Sequence, residues 1–274
     1  MRPELDLLGL PIKTFGLLFA LGFLACGLVG ARRLRELGKP VDWAYEMVFA
    51  ALVGGILGAR AYWVLQNYDQ TKDDLLGSLF TGSGLVFYGG LAGGAVGVLL
   101  WARLRGMLGL GLLDFGAPPV ALGYAIGRAG CQVSGDGDYG DSSSLPWAMP
   151  FPDGTVPTTE DVHPTPVYES VAMGFVALWL WRRRDAYRPG VLFAFYLVLS
   201  GLERFLVEFI RRNDPAVLGL TVPALESLGL AVAGAVWLLL ASRRGGLAPG
   251  APGPPDDARQ RPTCGRMAPF PREP

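Results

Sequence analysis

Seven apolar runs, at 12–31, 44–66, 84–101, 116–131, 166–181, 190–210 and 221–241, alternate with polar segments along this chain. About twenty apolar residues in a helix cross the hydrocarbon core of a bilayer. The pattern predicts an all-α polytopic membrane protein with seven transmembrane helices. Glycines punctuate the runs: Gly54, Gly55 and Gly58 in the second, Gly89, Gly90, Gly93, Gly94 and Gly97 in the third, Gly123, Gly127 and Gly130 in the fourth. Small residues so spaced let helix backbones approach closely in a membrane. Pro118 and Pro119 predict that the fourth helix opens at its run. Residues 1–244 read as one seven-helix domain. Residues 245–274 carry eight prolines and read as a disordered tail.

Charge orients the helices. The segments 32–43, 102–114 and 182–189 carry four, two and four basic residues, and the alternate segments 67–83 and 132–165 carry one and none. Basic residues favour the cytoplasmic side, so the N-terminus is expected outside and the C-terminus in the cytoplasm. The long segment 132–165 then faces outward. Arg211 and Arg212 break the rule, as outer-side arginines that a functional site would explain. Composition agrees: 51% of residues are hydrophobic and only 18% charged, where soluble domains are nearer a quarter charged. A net charge of zero gives no reason to expect nucleic acid as a partner.

The charged residues inside the apolar runs carry the chemistry. Arg128 ends the fourth run, at a cost of about 3 kcal/mol for an arginine at membrane depth, which calls for a partner or a task. Arg204 and Glu208 stand four apart on one helical face, with Arg211 a further turn along. Arg60 lies toward the outer end of the second run, where it either snorkels to the headgroups or joins the others. A structural ion pair would account for Arg204 and Glu208 alone. Several arginines at one depth suit a phosphate instead, because a guanidinium fork binds two oxygens at once.

Other candidates are weaker. His163 is the one histidine of the chain, so no multi-histidine metal site exists and no metal is expected. It is either a loop residue bonded to backbone or an imidazole base. Cys131 reads first as a small packing residue. Asp136 and Asp138 read as solvated or structural turn residues. The three cysteines are odd in number and far apart, which gives neither a disulfide framework nor a zinc pattern. Phe23-Leu24-Ala25-Cys26-Gly27 resembles a lipoprotein cleavage site, but acids precede that run and arginines follow it. An uncleaved span is the expectation.

Taken in order, the motifs resemble the bacterial prolipoprotein diacylglyceryl transferase family. Residues 127–140, GRAGCQVSGDGDYG, are similar to its signature GRxGNFxNxExxG, with Asp136 at the glutamate and Gly140 one residue late. Residues 204–211, RFLVEFIR, match its RFxVEFxR, and 163–169, HPTPVYE, is similar to its HPSQLYE. Gly58-Ala59-Arg60-Ala61-Tyr62 and Phe87-Tyr88-Gly89-Gly90-Leu91 resemble two further family stretches.

The resemblance implies an enzyme of the bacterial inner membrane that needs no cofactor. It would move the diacylglyceryl group of phosphatidylglycerol to the lipobox cysteine of preprolipoprotein signal peptides, in lipoprotein biosynthesis. It assigns Arg128, Arg204, Glu208, Tyr88 and His163 to catalysis. It assigns Arg60, Arg128, Arg204, Arg211, Cys131 and Asp136 to substrate binding. The family's histidine before Gly-Gly-Leu is Tyr88 here, a phenol placed to donate a hydrogen bond near the lipid head and not to act as base. Either no base is essential, or His163 or Asp136 would supply it. A paralogue with another acceptor, or a non-catalytic phospholipid-binding or transport protein, remains the alternative.

Overall fold

The computed structural model describes residues 3–7, 10–71, 86–216 and 219–248. Seven long helices account for most of them: α1 (Thr14–Glu36), α2 (Asp42–Gln66), α3 (Phe87–Leu104), α4 (Leu110–Ser134), α5 (Thr165–Arg182), α6 (Val191–Glu208) and α7 (Val222–Arg243). Each overlaps one of the seven apolar runs. A helical turn, Tyr68–Thr71, follows α2. Two small antiparallel hairpins are additions to the all-helical expectation. One, β1 (Glu4–Leu7) with β2 (Leu10–Lys13), precedes α1; the other, β3 (Met149–Phe151) with β4 (Thr158–Val162), lies between α4 and α5. The expected tail falls almost wholly outside the described residues.

By length and composition, α1, α2, α4 and α7 can each cross a membrane. Their surfaces agree. Phe49, Leu91, Leu104 and Phe175 are 66%, 63%, 85% and 68% exposed. Soluble monomers rarely expose large apolar patches, and these outward side chains on α2, α3 and α5 suit contact with lipid.

With apolar side chains turned outward, the helices must hold together by close backbone packing. The tightest seam joins α2 to α3. A Cβ on Gly54 or Gly58 would overlap the backbone of Gly93, and one on Gly93 would overlap that of Gly54 and Gly58. Between α1 and α4 the Cys26 thiol donates to the Pro119 carbonyl at 3.0 Å. The cysteine of the cleavage-like stretch thus sits mid-helix as a packing residue. Alanines fill the centre: Ala117, Ala121 and Ala125 of α4 meet Met173, Ala177 and Leu180 of α5.

One expectation is corrected. Pro118 and Pro119 do not open the fourth helix, which starts at Leu110 and carries both inside. Helix-breaking residues are tolerated inside membrane helices because neighbours re-satisfy the freed groups. The added turns have a use. Asp114 accepts the backbone N–H groups of Gly190 at 2.6 Å and Phe193 at 2.8 Å. It thereby caps α6, whose own N-cap is a glycine.

Candidate active site

Four helix ends meet at one end of the bundle. They are the C-termini of α4 and α6 and the N-termini of α5 and α7. The chain turns back there because α4 stops at Ser134 with Gly135 in the left-handed region, φ 59°. The segment that follows is tied down from both sides. Gly140 N–H donates to the His163 carbonyl at 2.9 Å, and Asp141 N–H to the Ile210 carbonyl at 2.8 Å. A Cβ at Gly140 would overlap the Ile210 carbonyl and lie 3.0 Å from both His163 Cβ and Thr165 Cγ2. Only glycine lets this loop run between α5 and the end of α6.

Glu169 stands in the first turns of α5, fully buried. Its Oε1 lies 2.8 Å from Arg128 Nη2 and 3.7 Å from Arg204 Nη1, and its Oε2 lies 3.4 Å from Arg211 Nη1. Tyr124 donates its hydroxyl to the same Oε1 at 3.0 Å and accepts Arg128 Nε at 3.1 Å. Asp138 bridges Arg128 and Arg211 through one oxygen to each. Glu208 closes the other side. Its Oε2 is 2.7 Å from Arg204 Nη1, and its Oε1 accepts from Asn213 Nδ2 and Thr221 Oγ1, both at 2.6 Å. Thr221 also caps α7 by accepting Ala224 N–H.

Three guanidiniums are thus gathered around one buried carboxylate. Charges of like sign so close are stable only where carboxylates are interleaved. Burial alone would raise the Asp138 carboxyl, but the Arg128 and Arg211 guanidiniums outweigh it and hold it below the usual carboxylate range. Arg204 differs from the other two. Its buried Nη1 makes ion-pair distances but no hydrogen bond of acceptable geometry.

A family model for prolipoprotein diacylglyceryl transferase matches residues 4–240. The chain belongs to this family. It is 34% identical over 220 residues to the phosphatidylglycerol–prolipoprotein diacylglyceryl transferase of Clostridium tetani (strain Massachusetts / E88), covering 78% of this chain and 87% of that protein. It is 34% identical over 268 residues to the protein of the same name from Methylobacillus flagellatus, covering 89% and 99%. Over 275 residues it is 33% identical to the one from Chromohalobacter salexigens, covering 94% and 97%.

The residues singled out by the family motifs divide on the structure. Arg128, Arg204, Glu208 and Arg211 come together as described. Cys131 is buried beside them, with Sγ 3.7 Å from Arg128 Nη1. Arg60 is buried on α2, its guanidinium 4.8 Å from the Trp63 ring centre. His163 shares a hydrogen bond with the Tyr168 hydroxyl at 3.3 Å, and Trp147 Nε1 donates to that hydroxyl at 2.7 Å. Tyr88 falls in the first turn of α3, and its side chain lies outside the described residues.

Asp136, which motif counting sets at the family's glutamate, forms no ion pair with the arginines among the described residues. Its carboxylate accepts the Asp138 N–H at 3.3 Å, while Asp138, two residues on, takes the arginines. The left-handed turns at Gly135 and Gly137 swing the chain so that Asp138 points back under α4. Asp138 is therefore a bridge between two guanidiniums and not a solvated turn residue. The donor atoms of Cys131, Asp136 and Asp138 lie within 4.8 Å of one another, but Asp138 is already committed to arginine. Glu169 is the last residue of the HPTPVYE stretch, and sequence reading assigns it no task. Its signal was an acid within a run otherwise fit for a membrane.

Proposed function

We propose that this chain transfers the diacylglyceryl group of phosphatidylglycerol to the cysteine thiol of a prolipoprotein. Its relatives carry that activity in their names. The observation that carries the reading here is the cluster of Arg128, Arg204 and Arg211 at the end of an apolar bundle. The thiol sulfur bonds to the glycerol carbon, and the carbon–oxygen bond to phosphate breaks. Its electron pair leaves on glycerol phosphate. Negative charge then grows on the phosphate, where Arg204 and Arg128 can meet it. Glu169, Glu208 and Asp138 hold the forks in place before substrate arrives.

All seven helices are read as spans of the bacterial inner membrane. The N-terminus and the loop bearing Asp138 face outward, and the C-terminus lies in the cytoplasm. The apolar signal helix of the acceptor would enter sideways between spans. Arg60, Tyr88, Cys131 and Asp136 are read as lining the lipid-head region. The test is direct. Purified protein is given phosphatidylglycerol and a lipobox peptide, and thioether-linked product is sought by mass spectrometry. Lipid binding without product would leave a non-catalytic phospholipid-binding protein in its place.

A further inference from the structure

The cluster holds one carboxyl that its ion pairs do not use. Arg128, Arg204 and Arg211 are matched by Glu169, Asp138 and Glu208. Glu203 is a fourth acid among them. Its neighbours Tyr196 and Ser200 lie on the same face of α6, and Tyr196 packs on the α4–α5 core, so this face turns toward α4. The charged and titratable groups around Glu203 are Arg128 and Tyr124 from α4, Glu169 from α5, Arg204 from its own helix and Arg211 beyond that helix's end. Among the described residues no ion pair includes it, and its buried Oε1 has no hydrogen-bond partner. A buried carboxylate oxygen left in that state needs an explanation.

Charge counting supplies one. The three guanidiniums already pair with Glu169, Asp138 and Glu208, so Glu203 is a carboxylate of the cluster that can take up a proton without costing an ion pair. Protonating Glu169, Asp138 or Glu208 instead would break an ion pair. Protonating Glu203 breaks none. We propose that Glu203 accepts the proton of the attacking thiol, an inference that rests on the transfer reaction proposed above. The sulfur–hydrogen bond breaks and its proton goes to the Glu203 carboxylate. The sulfur's electron pair forms the bond to the glycerol carbon, and the carbon–oxygen bond breaks toward phosphate. The departing glycerol phosphate then takes the proton from Glu203 and restores the carboxylate.

The test compares two acceptors, a lipobox peptide with cysteine and the same peptide with selenocysteine. A selenol is largely ionised at neutral pH and needs no base, whereas a thiol with its pKa near 8.5 does. Glu203→Gln is expected to lose about a hundredfold in kcat on the cysteine peptide, and to recover most of it on the selenocysteine peptide. Glu203→Asp keeps a carboxyl and is expected to retain part of the cysteine activity. Wild-type kcat for Glu203→Gln on the cysteine peptide overturns the assignment. So does an equal loss on both peptides, which would mark a packing role. If wild-type protein forms no product with either peptide, the transfer reading itself has failed, an outcome separate from both.

Discussion

Glu169 Oε1 lies 2.8 Å from Arg128 Nη2, although the two residues stand 41 positions apart in the chain. The first belongs to the start of α5 and the second to the end of α4. Their pairing draws Arg204 and Arg211 to the same carboxylate. Glu169 is therefore the centre of the cluster, and the arginines are arranged about it.

Removing that centre leaves three guanidiniums with only Asp138 and Glu208 between them. Breaking a buried pair from one side costs about 3–5 kcal/mol. Glu169→Gln should unfold at a clearly lower temperature in detergent and lose nearly all transfer activity. A variant with wild-type melting and turnover would show that the cluster does not depend on its central acid.

Lysine cannot replace the forks. Arg128 reaches Tyr124, Glu169 and Asp138 through three different nitrogens, and a point ammonium cannot. Arg128→Lys and Arg204→Lys should each reduce kcat at least tenfold while expressing normally. Steady-state kinetics on membranes of matched protein content would check this, and full turnover would leave charge alone as the requirement.

Asp138 gives a pH dependence of known sign. Its folded-state pKa is depressed, so it contributes stability above the ordinary aspartate range, about pH 4. That stability is lost as pH falls through the lower folded-state value. Melting temperature in detergent should fall on acidification below about pH 4, and the fall should be shallower in Asp138→Asn. Parallel curves for the two proteins would separate the bridge from the acid sensitivity.

Gly140 tests the loop apart from the bundle. Its added Cβ in Gly140→Ala would meet the Ile210 carbonyl and press on His163 and Thr165. Transfer should fall sharply while the helical content by circular dichroism stays unchanged. Gly93→Leu should do the reverse kind of damage. It would force α3 off α2 at Gly54 and Gly58 and lower the yield of folded protein.

Orientation is checked from outside the site. Cysteine labelling in whole cells should reach residue 150 and should not reach residue 185 without permeabilisation. The opposite pattern would place the arginine cluster on the cytoplasmic face, away from the proposed substrates.

The helices were legible because hydrophobicity is a local, additive property. Seven apolar runs gave seven helices, and glycine spacing announced the α2–α3 seam. The arginines were legible for the same reason: a charge in an apolar run stands out wherever it falls. Their partners were less so. Counting along the motif chose Asp136, because counting assumes an unbroken backbone path. The left-handed residues Gly135 and Gly137 bend that path and bring Asp138 to Arg128 and Arg211.

The sequence by itself determined an apolar helical bundle, a cluster of arginines near one end and the motifs of a transferase family. Those follow from residue type and spacing. Spacing pairs Arg204 with Glu208, but tertiary structure alone decided which acids answer Arg128 and Arg211, that Glu169 stands at the centre, and that Glu203 is left over. Ion pairing depends on distance in space, and the chain brings α4, α5 and α6 together only once its helices have packed. The same packing decided that His163 turns to Tyr168. No local pattern encodes where a side chain points when its neighbours come from helices dozens of residues away.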